Sequence, residues 1–228
     1  IITCNKRLTP FLQQEVEAMA FTPDEVFATG IVLKGTLKDC IELNLNLRCA
    51  SQVLFSLQSF RAVHPDDVYE KVIRMPWETW LPKDGYFSVT SNVDQFTVNN
   101  TMFLNVKVKD GIADRFRREV GVRPNSGSEL DRAVVHIYWK DDEAEIFMDT
   151  SGPTLAKHGY RKIPGKAPML EALATATVMA SGWDQTSPFV NPMCGSGTLA
   201  IEAALLATHR KPGLYRNNYS FMHWLGYE

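Results

Sequence analysis

Asn191-Pro192-Met193-Cys194-Gly195-Ser196-Gly197-Thr198 is the stretch of this 228-residue sequence whose residue types and spacing most directly suggest chemistry. Ser187 to Asn191 reads as a short buried strand and Leu199 to Thr208 as an apolar helix, so both glycines fall in the turn between them. Gly195 and Gly197 permit a tight turn there and leave bare backbone for a ligand to approach. The helix that follows presents its free amide groups and the positive end of its dipole to that ligand. Strand, glycine turn and helix together open a doubly wound α/β sheet, which binds ligands at such points. The stretch is not a P-loop, because no Gly-Lys-Ser/Thr follows, and it is not a full G-x-G-x-x-G, because Leu199 and Ala200 follow Thr198. A lone G-x-G also serves as an ordinary structural turn. The preceding Pro-Met-Cys and the following Ile201-Glu202-Ala203-Ala204 make this one more specific.

Other reactive side chains give weaker patterns. Cys4, Cys40, Cys49 and Cys194 form no C-x-x-C pair and no zinc spacing, so free thiols and no metal are expected. His64, His136, His158, His209 and His223 are scattered, and no sequence neighbour is placed to activate Cys194 as a nucleophile. Trp77, Trp80, Trp139, Trp183 and Trp224 read as core or rim aromatics rather than base-stacking platforms.

The elements that must position the glycine turn begin far upstream. Residues 1–60 read as β-α-β-β-α-β, the order of a ferredoxin-like unit. Ile1 to Cys4 is a strand, and Thr9 is expected to cap a helix with Pro10 at its first position. Glu25 to Ala28 and Ile31 to Lys34 are short strands, Lys38 to Leu47 a second helix, and Gln52 to Phe60 a strand with one buried face. Residues 61–150 form another α+β unit. His64-Pro65-Asp66 leads into a helix, Gly85 precedes an alternating strand from Tyr86 to Val93, and Thr101 to Val120 is a long amphipathic helix that Gly121 ends. Ala133 to Trp139 and Ala144 to Asp149 then read as two strands. After Ser151-Gly152-Pro153 a basic linker leads to a small-residue helix, Met169 to Ala180, and residues 151–228 read as the beginning of an α/β domain.

With 45% hydrophobic residues the chain has ample apolar surface to fold, which excludes disorder. No apolar run approaches the ~20 residues of a membrane span, and Glu202 interrupts the most apolar stretch. No signal peptide opens the sequence, so a cytoplasmic protein is expected and the Asn-x-Ser/Thr matches at Asn99 and Asn218 read as chance. The first residues are Ile-Ile-Thr-Cys rather than Met, which suggests part of a longer product. Net charge is −2, yet residues 151–228 carry 7 basic and 4 acidic side chains against 17 and 22 in residues 1–150. The run Lys157, Arg161, Lys162 and Lys166 contains no acid. A second cluster, Lys107, Lys109, Arg115, Arg117, Arg118 and Arg123, is diluted by Asp110, Asp114 and Glu119. Either is compatible with phosphate contacts, and from charge alone a solvated helix face explains both more simply.

The glycine stretch resembles the methyl-donor loop, usually Asp-Pro-Met-Cys-Gly-Ser-Gly-Thr, of THUMP-containing RNA guanine-N2 methyltransferases, of which the bacterial 23S rRNA enzymes and related tRNA enzymes are most similar. Four further motifs follow the family order. They are Leu47-Arg48-Cys49-Ala50-Ser51; Val108 to Ile112 with Asp114-Arg115-Phe116-Arg117 and Gly121 to Pro124; Asp149-Thr150-Ser151-Gly152 with Lys157-His158-Gly159-Tyr160-Arg161; and Ala167-Pro168-Met169-Leu170-Glu171. The resemblance implies a ferredoxin-like unit (1–60), a THUMP RNA-binding domain (61–150) and the start of a Rossmann-like S-adenosylmethionine-dependent methyltransferase domain (151–228).

It further implies S-adenosylmethionine as cofactor, with Gly195, Ser196 and Gly197 against the donor's methionine part and ribose. Thr198 would start the helix behind them, and Pro168 with Leu170 would close the pocket. Pro192 lies in the loop, and Asn191 stands where the family has Asp, keeping an acceptor but losing the charge that would face the donor's ammonium. The implied partner is structured RNA, 23S rRNA or tRNA, with Arg115, Arg117, Arg118, Arg123, Lys157, Arg161 and Lys162 as candidate contacts. The family's Asn-Pro-Pro-aromatic loop for the acceptor base does not occur in these residues, so catalytic side chains are expected beyond Glu228 and this chain alone is expected to be inactive. A non-catalytic RNA-binding module and a DNA or protein methyltransferase are the rival readings.

Overall fold

The computed structural model describes residues 1–98, 100–163 and 167–227; Asn99, Lys166 and Glu228, named above, lie outside them. In chain order the elements are β1 (Ile2–Cys4), α1 (Thr9–Ala18), β2 (Pro23–Phe27), β3 (Gly30–Leu33), α2 (Leu37–Asn46), β4 (Ala50–Arg61), α3 (Pro65–Val72), β5 (Tyr86–Asp94), α4 (Thr101–Val120), β6 (Asn125–Gly127), β7 (Ala133–Lys140), β8 (Glu143–Asp149), α5 (Glu171–Ala180) and α6 (Thr198–Ala207). Short 3-10 turns lie at Trp77–Thr79, Pro212–Tyr215 and Ser220–His223. Contacts divide the chain into two compact units, one of residues 1–53 and 154–217 and the other of residues 54–153 and 218–228.

In the first unit, β2, β3, β1 and the Ala50–Val53 end of β4 form an antiparallel sheet in that order. This is the expected β-α-β-β-α-β order, with α1 packed on β2 and β3. Ile2, Leu12, Val16, Ile31, Leu43 and Leu47 are all almost fully buried, so alternate strand positions and one face of each helix form its core. Thr9 does not cap α1 as expected. Leu8 is the cap, Thr9 is the first helical residue, and its hydroxyl donates instead to the Ala28 carbonyl at 2.9 Å. The cap that forms is on α2. There Thr36 Oγ1 accepts from the Asp39 amide at 3.3 Å while Asp39 Oδ2 accepts from the Thr36 amide at 2.7 Å, a reciprocal capping box.

In the second unit, the Leu54–Arg61 part of β4 pairs antiparallel with β8, β8 antiparallel with β7, and β5 lies parallel to both β7 and β6. Helix α4 spans the expected residues and ends at Gly121 in the left-handed region (φ 76°). It packs on α3 and β5, with Leu104, Val108, Ile112 and Phe116 buried at helical spacing. Trp77, Trp139, Phe87 and Phe147 fill the rest of this core. The C-terminal residues return to the same unit: Ser220 Oγ accepts from the Val134 amide at 2.9 Å, and Trp224 meets Trp80 edge-on at 6.1 Å.

The strand expected at Ser187–Asn191 does not form. This segment has no sheet partner among the described residues, and Val190 is 78% exposed. A strand needs a neighbour to satisfy its amides. Here the chain turns locally instead, with Asp184 Oδ1 accepting from the Thr186 and Ser187 amides and Trp183 tilted against Phe189 at 5.0 Å. No described helix is long and apolar enough to cross a membrane, and the described residues hold no group of three or more metal-ligating side chains.

Candidate functional site

The glycine stretch is built outward from α6. Gly197 caps this helix in the left-handed region (φ 80°), Gly195 is also left-handed (φ 51°), and the Gly197 amide closes the turn onto the Cys194 carbonyl at 2.7 Å. Among the described residues a side chain at Gly195 would meet nothing within 4 Å, and one at Gly197 only the Ile201 Cδ1 at 4.0 Å. Packing therefore does not require glycine here. The backbone conformation does, and the turn is left bare and exposed on its outer side.

Helix α6 is anchored by an acid that has no place on an apolar helix unless it is paired. Glu202 is fully buried. Its Oε2 accepts from Thr175 Oγ1 of α5 at 2.7 Å, and its Oε1 lies 2.8 Å from His158 Nδ1. The other ring nitrogen, Nε2, must donate to the Arg48 carbonyl at 2.9 Å, because a carbonyl can only accept; one proton is then shared between Nδ1 and Glu202. Burial opposes ionisation of Glu202, but the hydrogen bond and charge of His158 and the Thr175 hydroxyl outweigh it and hold the carboxyl below its ordinary range. Arg48 itself is buried and donates through Nη2 to the Arg210 carbonyl at 2.6 Å and the Leu205 carbonyl at 3.3 Å, closing the C-terminal end of α6. Its backbone amide and that of Cys49 both donate to the Glu15 carboxylate at 2.9 Å. The Leu47-to-Ser51 motif is thus the socket for α6 and for the segment before α5, since the Ser51 carbonyl also accepts from the Leu155 amide at 2.8 Å.

The near side of the loop is held by Arg161. Its Nε donates to Glu171 Oε1 at 3.1 Å, its Nη1 to Ser196 Oγ at 3.2 Å, and its Nη2 to Thr198 Oγ1 at 2.9 Å and the Met169 carbonyl at 3.2 Å. One guanidinium therefore brings the start of α5 and the start of α6 together. Leu170, the N-terminal flank of α5, is half-buried; Pro168, Pro192, Gly195 and Ser196 are exposed, and Thr198 is buried. Asn191 is half-buried, and its Nδ2 is buried with no hydrogen-bond partner among the described residues, an orphaned donor beside the glycine turn. A bare left-handed turn and an unpaired buried donor are what a bound ligand would complete, so the expected donor residues fit that role.

The expected RNA contacts divide into two kinds. Arg117, Arg118 and Arg123 are exposed and each pairs with a neighbouring acid, with Asp114 at 2.9 Å, Glu119 at 2.8 Å and Asp110 at 3.6 Å. Lys157 and Lys162 are exposed. Arg115 differs: its side chain is 16% exposed and is spent on Glu78 and Glu119. Arg161 differs in the same way, turned into the protein rather than toward solvent. Arg48, His158, Glu171 and Glu202 were not singled out by their chemistry from sequence. The signal available was acids at two positions, Glu171 and Glu202, in otherwise apolar helices.

A split ferredoxin-like sheet, a mixed sheet carrying one long basic-ended helix, and a glycine turn opening an anchored helix define the class: a protein in which α+β structure precedes a helical segment that opens on a glycine turn. Residues 1–54 match the RlmL ferredoxin-like domain, residues 63–149 the THUMP domain and residues 158–225 the RMKL-like methyltransferase domain. Over 220 residues, 96% of this chain, the sequence is 38% identical to the ribosomal RNA large subunit methyltransferase K/L of Psychromonas ingrahamii and spans 29% of that protein's length. A crystal structure described as a predicted N6-adenine-specific DNA methylase from Listeria monocytogenes superposes with a TM-score of 0.86 at 31% identity, covering 100% of this chain and 59% of that one. SMU.472, crystallised in complex with SAH (S-adenosylhomocysteine), gives a TM-score of 0.86 at 26% identity, covering 100% of this chain and 60% of that one. Taken in order, the three matches resemble the domain arrangement of THUMP-containing methyltransferases.

Proposed function

We propose that this chain supplies the RNA-gripping region and the methyl-donor loop of an S-adenosylmethionine-dependent RNA methyltransferase, acting in the cytoplasm on the N2 amine of a guanine in 23S rRNA. The observation that carries the reading is the bare Gly195–Gly197 turn with the unpaired Asn191 Nδ2 beside it, in a chain whose preceding residues match THUMP. S-adenosylmethionine, when bound, supplies a methyl group activated on a sulfonium. The protein's part is positioning. Gly195, Ser196 and Gly197 bring backbone to the donor's methionine part and ribose, the Asn191 side chain meets its polar end, and Pro168 and Leu170 border the pocket from α5. Arg117, Arg118, Arg123, Lys157 and Lys162 are placed to exchange solvent or a surface acid for RNA phosphates.

No Asn-Pro-Pro-aromatic stretch occurs in these 228 residues, which supports the reading that this chain by itself binds donor and RNA without transferring the methyl group. The test combines calorimetric titration of the chain with SAH and methyl transfer from labelled donor to 23S rRNA, tRNA and duplex DNA, run with this chain and, for comparison, with the longer Psychromonas ingrahamii relative. Donor binding by the chain, and transfer to 23S rRNA only by the longer relative, are expected. Absence of SAH binding would remove the donor role. Transfer to tRNA or to DNA in place of 23S rRNA would replace the substrate.

A further inference from the structure

We propose that Arg161 is the positioning residue of the donor loop, its guanidinium fixing the Cys194–Thr198 turn in the shape that accepts the donor; the inference rests on the donor reading above. The turn has little else to hold it. Cys194, Gly195 and Ser196 are exposed, and no atom of the described residues comes within 4 Å of the place a Gly195 side chain would occupy. Ser196 Oγ has Arg161 Nη1 at 3.2 Å and the Thr198 hydroxyl at 3.2 Å, and Thr198 Oγ1 has Arg161 Nη2 at 2.9 Å. The same Nη2 reaches the Met169 carbonyl at 3.2 Å, so the guanidinium spans the two segments that would flank the donor.

Arg161 is in turn fixed by Glu171. Their side chains are 15% and 6% exposed and joined at 3.1 Å, so the carboxylate has few alternatives to this partner. Gly159, two residues before, keeps the backbone in place: it is left-handed (φ 86°), and any side chain there would lie 2.8 Å from the Tyr215 carbonyl. A planar fork is required for this geometry, since it must serve two hydroxyls, a carbonyl and a carboxylate lying in different directions. A lysine ammonium on a flexible stem does not hold all four. A turn fixed before the donor arrives loses less freedom on binding, and that difference appears as donor affinity.

Cys194 provides a reporter inside the turn, because it is an exposed free thiol while Cys4, Cys40 and Cys49 are buried. The experiment measures SAH affinity, thermal midpoint and the rate of Cys194 modification by a disulfide reagent, with and without SAH. The proteins are the wild-type chain, Arg161→Gln, Arg161→Lys and the charge control Lys34→Gln. Arg161→Gln is expected to weaken SAH binding by about tenfold or more and to speed Cys194 modification severalfold, with Arg161→Lys intermediate and Lys34→Gln unchanged. All are measured well below the thermal midpoint, so a merely structural ion pair would lower the midpoint and leave both affinity and thiol rate alone. That result in Arg161→Gln overturns the proposal. If Arg161→Gln does not fold, wild-type affinity in Arg161→Lys overturns it. Wild-type chain that neither binds SAH nor shows protection of Cys194 refutes the donor reading itself, a distinguishable failure.

Discussion

Asn191 carries a buried side-chain nitrogen with no partner among the described residues, in the position where the resemblance to the donor loop implies an Asp. An unsatisfied buried donor costs roughly 1–3 kcal/mol, and an ammonium, itself only a donor, cannot relieve it; of the Asn191 amide only Oδ1 can accept from such a group. Asn191→Asp replaces the orphan donor with a charged acceptor suited to the donor's ammonium. In the free chain the new carboxylate is poorly compensated, so the thermal midpoint should fall slightly. With SAH present the pairing should tighten binding about three- to tenfold and enlarge the ligand-induced rise of the midpoint. Unchanged or weaker affinity in a calorimetric titration would show that this residue does not face the ammonium. Gly159 makes a second single-residue argument. Gly159→Ala must adopt φ 86° and also push the Tyr215 carbonyl from 2.8 Å, whereas Gly182→Ala (φ 67°) meets no atom of the described residues within 4 Å. The first should lose about 2–3 kcal/mol and the second about 1 kcal/mol, read by denaturant unfolding. Equal losses would mean that the contact with Tyr215 is easily relaxed.

At the scale of elements, strand β7 carries a titration that belongs to the second unit alone. His136 Nδ1 lies 2.8 Å from Thr90 Oγ1 of β5, and burial pushes the imidazole down to about 4 from its ordinary value near 6.5. The unfolded chain takes up that proton more readily than the folded one. The stability gained by keeping His136 neutral is therefore complete above about pH 6.5 and is lost as the pH falls through about 4. Allowing for its part exposure, the loss is about 2 kcal/mol. His136→Gln should flatten the acid limb of the stability curve in that window; an unaltered limb would assign the acid loss to the carboxylates. The elements themselves were largely legible in the sequence, because α4 and β7 bury regular faces whose periodicity is written in Leu104, Val108, Ile112 and Phe116 and in the Val134–Trp139 run. Two were not. β6 is three residues, Asn-Ser-Gly, with no apolar pattern to announce it. Ser187–Asn191 has the pattern of a buried strand, yet pattern encodes only what a partner would cover, and no strand lies beside it among the described residues. The glycine turn was legible because glycine types and spacing carry their own conformational meaning. Its clamp was not: Arg161 reads as one of several cations in a basic run, and only its contacts with Glu171, Ser196 and Thr198 separate it from Lys157 and Lys162.

For the whole molecule, a net charge of −2 gives RNA no general attraction, so the proposed affinity must come from local cations. Charge content alone does not say which. Exposed pairs such as Arg117–Asp114, Arg118–Glu119 and Arg123–Asp110 are worth about 0–1 kcal/mol each and exchange readily for phosphate, whereas Arg115 and Arg161 are committed to internal acids and neighbours. The fall of RNA affinity with salt counts the cations in use. Replacing Arg117, Arg118 and Arg123 by Ala should reduce that slope by about 2–3, and replacing Lys157 and Lys162 by about 1–2, with little effect on folding. Arg115→Ala should behave oppositely, lowering stability by about 1–2 kcal/mol through loss of the Glu78 pairing while leaving the slope near wild type. Filter binding of 23S rRNA fragments across a salt series, paired with thermal unfolding of each variant, separates the two groups. A slope insensitive to all five exposed substitutions would place RNA on some other surface, and a slope lowered by Arg115→Ala would show that its ion pairs open on binding.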